Sequence, residues 1–146
     1  TIKVDTYQTR GGASEIAIDK LKGVTAAGSM LVVGEGGTNT TNLQQGLAKG
    51  WLNFNGTGTV AITDSFNIAS ITDNGTGDYT NTLSNAMANS NFCYTALGGN
   101  TSGALSVRIE NANNRSTTTI DLLGYDTDVA QLDMADMNTL FHGDLA

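Results

Sequence analysis

The stretch Trp51-Leu52-Asn53-Phe54-Asn55-Gly56-Thr57-Gly58-Thr59-Val60-Ala61-Ile62 carries the reading of the fold. Two runs of mixed apolar and polar residues flank an Asn-Gly step. Asn-Gly in that setting is the strongest short-range sign of a β-hairpin, because both residues tolerate the positive φ of a tight turn. The same sign recurs at Asn74-Gly75-Thr76-Gly77, between Ile68-Ala69-Ser70-Ile71 and Tyr79-Thr80-Asn81-Thr82-Leu83. The residues around the two turns do not repeat, so they are two hairpins and not a solenoid period. Further strands are predicted at 91–97, 104–110, 117–125 and 138–143, with turns at Gly98-Gly99-Asn100 and at 111–115. About eight short strands in this zone predict a mainly β chain with a β-sandwich or jelly-roll-like domain over 51–146.

Working outward toward the N-terminus, Thr41-Asn42-Leu43-Gln44 matches a capping box, with Thr41 as N-cap and Gln44 three positions on. Leu43 and Leu47 then share a face, and Gly50 stands where a glycine ends a helix. One short helix is expected over 39–50. Before it, 1–38 reads as an extended arm. Ile2, Val4 and Thr6 alternate ahead of Tyr7, Arg10-Gly11-Gly12 breaks the run, and short apolar groups follow at Ile16, Ile18 and Leu21 and again at 29–33. Strands this brief make no independent sheet and need a partner, either the following domain or a second subunit.

Composition supports this reading. Hydrophobic residues make up 39% of the 146, but charged residues only 14%, well below the roughly 25% usual for soluble domains. Thr, Asn, Ser and 18 Gly take their place, as strands and tight loops require. Proline is absent, which removes one means of blocking edge strands. Seven basic residues against fourteen acidic ones give a net charge of −7, so no nucleic-acid partner is expected. No apolar run approaches the ~20 residues of a membrane span and no leader-like segment follows Thr1, so no membrane insertion is expected. Cys93 is the single cysteine, which excludes an intrachain disulfide and fits assembly in a cytoplasm.

The central stretch also resembles something known. Residues 47–62 resemble the K-x-W-x-N-F-N-G-T-G-T-V opening of a domain recurring in tail-fibre proteins of marine bacteriophages. The following Asp64-Ser65-Phe66-Asn67-Ile68-Ala69-Ser70-Ile71-Thr72-Asp73-Asn74-Gly75-Thr76-Gly77-Asp78-Tyr79-Thr80 is similar to its S-F-N-V-S-S-I-T-D-N-G-T-G-D-Y-T block. Thr1-Ile2-Lys3-Val4-Asp5-Thr6 resembles the start common in those proteins. The central match covers about thirty-five residues and ends before Asn100, so receptor specificity does not carry over. The resemblance implies a virion surface protein, attached by its N-terminal arm to tail or capsid proteins and working as a homotrimer. It implies no catalysis.

Each candidate for chemistry has a simpler expectation beside it. Asp73 to Asp78 gathers carboxylates around glycines, but lacks the length and closing Glu of an EF-hand loop, so it reads as a hairpin turn with solvated Asp. Asp121, Asp126, Asp128, Asp133 and Asp136 form the densest acidic run and are read as a solvated face, not a cation site or a glycosidase pair. His142, the only histidine, is expected on a final strand opposite Phe141, and Cys93 is read as a small buried hydrophobe. Gly34-Glu35-Gly36-Gly37-Thr38 lacks a phosphate-loop ending and is read as a flexible connector. Trp51, Tyr79, Tyr94 and Tyr125 could stack on sugars if exposed, but are expected in the core or at a subunit interface.

No enzyme, cofactor or metal site is therefore expected. Host-surface glycan contacts are assigned to loops at one end of the sandwich, through Asn100, Thr101, Ser102, Asn113, Asn114 and Arg115. Docking and self-association are assigned to Ile2, Val4, Tyr7, Leu43 and Leu47. A head-fibre, decoration or cement protein that stabilises a capsid is the alternative on the virion. A free carbohydrate-binding module is the alternative of another class.

Overall fold

The computed structural model describes residues 30–99, 106–109, 115–126 and 128–146, together with positions 20, 23 and 26. The chain is mainly β. Two short strands, β1 (Leu31–Val33) and β2 (Thr40–Asn42), pair as an antiparallel ribbon. A single helical turn, α1 (Leu43–Gly46), follows. Eight strands then build the body: β3 (Gly50–Asn55), β4 (Ala61–Phe66), β5 (Ile68–Gly75), β6 (Asp78–Leu83), β7 (Cys93–Gly99), β8 (Ser106–Ile109), β9 (Thr119–Tyr125) and β10 (Asp136–His142). They form two four-stranded antiparallel sheets, ordered β4-β3-β10-β7 and β5-β6-β9-β8. The expected sandwich is present.

Both Asn-Gly stretches turn hairpins, β3 to β4 and β5 to β6. In the first, the Asn55 carboxamide accepts from the Thr57 backbone N–H and hydroxyl, closing the loop locally. Gly56 has a further reason to lack a side chain. A Cβ there would stand 2.5 Å from the Tyr79 hydroxyl and 2.9 Å from the Met134 carbonyl.

Strand periodicity sets the core. Leu52 and Phe54 of β3, and Met137 and Phe141 of β10, point inward against Tyr79 and Leu83 of β6 and Ile120 and Leu122 of β9. Phe54 and Tyr79 meet edge to face across the two sheets at 5.2 Å. The Tyr79 hydroxyl lies 2.7 Å from the Gly56 carbonyl and 2.9 Å from an Asp133 carboxylate oxygen, which also accepts from the Gly77 N–H. Burial, reinforced by that carboxylate, pushes the Tyr79 phenol well above its ordinary pKa. Asp133 thus ties the β5–β6 turn to the segment entering β10.

The chain crosses between sheets through one residue, Asn67, which adopts φ 60° between β4 and β5. Asn tolerates this left-handed conformation better than most residues. Its side chain locks the corner by donating to the Lys49 carbonyl at 2.8 Å and accepting from the Asn85 N–H at 2.7 Å.

The helix is shorter than its sequence pattern. Asn42, not Thr41, is the N-cap, accepting from the N–H groups of Gln44 and Gln45. Gly50 opens β3 and does not end the helix. Buried Lys49 instead donates its ammonium to the Gln44 and Leu47 carbonyls, satisfying the helix end. The glycine-rich 34–38 segment is the loop of the β1–β2 ribbon, where Gly34 N–H donates to the Asn39 carbonyl. Gly98 and Gly99 continue β7 against Met137 and Asp136, so no turn begins there. No helix among the described residues is long and apolar enough to cross a membrane.

Candidate functional site

The outer face of the β4-β3-β10-β7 sheet is the most distinctive surface. Its origin is strand parity. In β3 and β10 the sequence places two large apolar residues side by side, Trp51-Leu52 and Leu140-Phe141. Successive side chains leave opposite faces, so burying Leu52 and Phe141 puts Trp51 and Leu140 outside.

The ladder registers align these residues into rows. Phe66 pairs with Trp51, Trp51 with Leu140, and Leu140 with Thr95, giving one row across four strands. Two residues along each strand, Asp64, Asn53, Asn138 and Leu97 form a second row. Trp51 is 36% exposed, Leu140 39%, Phe66 51% and Leu97 68%, so no other element among the described residues covers the face. A largely apolar depression of about 220 Å³ lies between Thr95, Leu97, Asn138, Thr139 and Leu140.

Beside the apolar row stands a fixed polar ladder. The Asn53 amide donates to Asp136 Oδ1 at 2.6 Å and to Asn138 Oδ1 at 2.8 Å, and the Asn138 amide donates to Asp136 Oδ1 at 3.0 Å. Among the described residues, Asn53 Oδ1, Asp136 Oδ2 and one Asn138 N–H have no further partner. Sequence supplies no Lys or Arg to any of the four strands, while Asp64 and Asp136 both lie on this face.

A second, polar pocket of about 250 Å³ lies where α1 meets the C-terminal segment, lined by Gln45, Asn89, Asn91, Phe92, Gly143 and Asp144. The Gln45 amide donates to Asp144 there, joining the two segments.

The residues singled out in the sequence have different fates. Asn100, Thr101, Ser102, Asn113 and Asn114 lie outside the described residues, as do Ile2, Val4 and Tyr7. Arg115 is described and is engaged internally. Its guanidinium donates to the Phe92 carbonyl at 3.1 Å and stacks over the Phe92 and Tyr94 rings. Leu43 is half-buried and Leu47 exposed, next to α1.

The acidic run does not assemble. Asp121 accepts from the Thr80 hydroxyl, Asp126 from the Asp128 and Ala130 N–H groups, Asp133 from Gly77 and Tyr79, and Asp136 from the amide ladder. No group of three or more His, Cys, Asp or Glu side chains suited to a metal occurs among the described residues. Asp121, Asp126, Asp133 and Asp136 organise turns and strand pairs, while Asp128 and Asp136 are exposed as a solvated face requires.

Cys93 is exposed, which corrects the expectation of a buried thiol. It shares parity with outward Thr95 and Leu97 and pairs in register with His142. Tyr79 is a core residue as expected. Trp51 is partly exposed, and neither Phe66 nor the Asn53–Asn138–Asp136 ladder was singled out in the sequence. Their signal was the parity of Trp51-Leu52 and Leu140-Phe141.

In comparisons with known proteins, no family model matches the chain, and neither does any curated protein or solved structure.

Proposed function

We propose that this chain is a fibre-like structural protein of a bacteriophage virion, attached through 1–38 and presenting its β-sandwich to the host surface as a homotrimer. The observation that carries the reading is where the phage-like residues fall. The stretch Trp51 to Thr80, which resembles marine phage tail-fibre proteins, supplies β3, β4, β5 and the start of β6. It therefore furnishes a hairpin in the first sheet, most of one in the second, and the Asn67 corner between them. The resembling residues build one side of both sheets, edge strands β4 and β5 with their neighbours β3 and β6. An open outer face with aromatic and amide side chains further supports an adhesive role.

Gold-labelled antibody against the chain, applied to purified particles, tests the assignment. Label on tail or head fibres, together with blocked adsorption when free protein is added in excess, is the expected result. Label on capsid faces with adsorption unchanged would indicate a decoration or cement protein instead. A monomer that labels no particle would leave only the free carbohydrate-binding module.

A further inference from the structure

We infer that the outer face of the β4-β3-β10-β7 sheet binds a neutral, hydroxyl-rich glycan, with Trp51 and Phe66 as the stacking platform and Asn53, Asn138 and Asp136 as the hydrogen-bonding edge. The inference deepens the adhesive part of the proposed function and rests on that part. It moves the contact from the loops to a sheet face.

Three features point to this occupant. The first is shape. Trp51 and Phe66 are cross-strand partners with open side chains, and Leu140 extends the row. Across four strands at ~4.8 Å spacing the row runs roughly 14 Å, longer than one sugar ring. A pyranose offers a flat C–H face to such rings, and Trp and Tyr-like surfaces contribute contact area at little entropic cost.

The second feature is the polar edge. A purely apolar partner would strand the Asn53–Asp136–Asn138 ladder out of water, at a cost for each unpaired group. Hydroxyl groups both donate and accept, so they match Asn53 Oδ1, Asp136 Oδ2 and the free Asn138 N–H. The three side chains already hold one another in place, so little ordering remains to be done on binding.

Charge is the third. Asp64 and Asp136 lie on the face with no Lys or Arg in its strands, and the chain as a whole carries −7. Sialylated, sulfated or phosphorylated sugars are repelled. So is the same face of a second copy, which would set these carboxylates against their own kind.

The test is an array of printed neutral hexasaccharides of glucose, xylose, mannose, galactose and N-acetylglucosamine, with sialylated and sulfated glycans as the anionic arm. Hits are followed by titration calorimetry. The expected result is binding to a neutral glycan that is unchanged by raised salt. Trp51→Ala, Phe66→Ala and Asn53→Ala should each weaken it by about tenfold, a difference of roughly 1.4 kcal/mol. Trp51→Tyr should retain most of the affinity, which separates stacking from loss of fold, and Thr82→Ala on the other sheet should change nothing.

A silent array, binding confined to anionic glycans, or affinity that survives the double variant W51A/F66A would overturn the inference. So would an oligomer that falls apart in W51A/F66A, because the face would then join copies of the chain. A chain that labels particles but binds no glycan removes this inference alone. One that binds neutral glycans and labels no particle removes the virion assignment alone.

Discussion

The two sheets share one core but present opposite outer faces. On the first, Trp51, Phe66, Leu97 and Leu140 are open to solvent. On the second, the positions alternating with buried Tyr79, Asn81, Leu83, Ile120 and Leu122 are Asp78, Thr80, Thr82, Thr119, Asp121 and Leu123, and Leu123, the one large apolar residue among them, is buried. No exposed large hydrophobic residue lies on β5, β6 or β9. Apart from covered Leu123, the exposed part of the second face shows how this chain finishes a sheet when only solubility and strand propensity matter: Thr and Asp, with Thr80 bonded to Asp121 across the pair. The first departs from that solution on its two central strands and on both edges. Inward packing does not require the departure, because Leu52, Phe54, Met137 and Phe141 already fill the core from the same strands.

The largest expected effect separates the two faces of one strand. Phe141→Ala should cost about 3–5 kcal/mol in urea unfolding, whereas Leu140→Ala, one residue away, should stay within about 0.5 kcal/mol. A large loss for Leu140 would break the comparison by making the outer row part of the fold's own support. Gly56→Ala ranks next, at about 1–3 kcal/mol, since its new methyl group must displace the Tyr79 hydroxyl or the Met134 carbonyl.

Tyr79→Phe should cost about 1–2 kcal/mol at neutral pH by leaving the Gly56 carbonyl and Asp133 without their shared donor. It also carries a pH signature. The folded phenol is raised above its unfolded value of about 10, so the stabilisation is complete below about pH 10. It drains away as pH rises further, through the folded value. Thermal melts across that range should show an alkaline decline for the parent chain that is shallower in Tyr79→Phe.

The smallest effect per site sharpens the contrast most. Rewriting the first face in the manner of the second, by Trp51→Thr, Phe66→Thr and Leu140→Thr, should change stability by only about 0.5 kcal/mol per site. Equilibrium unfolding of the triple variant reads this directly.

Much of the architecture was legible because turn chemistry and strand alternation agree at Asn55-Gly56 and Asn74-Gly75. Other features were hidden for physical reasons. The corner at Phe66-Asn67-Ile68 is not marked in the sequence, because nothing local shows that Asn67 turns left-handed and changes sheets. Thr41 and Asn42 are both good caps, so the choice between them depended on β2 pairing with β1 through Asn42. Asp133 looked solvated because its partners, Gly77 and Tyr79, stand more than fifty residues away in sequence. Cys93 was misplaced by parity. Its neighbours Phe92 and Tyr94 take the inward positions, which leaves the thiol outside. The apolar row was half visible in adjacent Trp51-Leu52 and Leu140-Phe141, but its assembly needed the registers that join strands distant in sequence.

The pairing of β3 with β10 has a mechanical consequence. Gly50 lies opposite Phe141, so the chain enters the sandwich and leaves it at the same pole. Tension applied between those two points peels an antiparallel pair apart one rung at a time, the weaker way to load a ladder whose bonds run perpendicular to the strands. Tension between the entry point and an object held on the outer face follows another path. Trp51 is the first residue beyond Gly50, so the load passes into that object after a single peptide unit and leaves the rest of the sandwich almost unstressed.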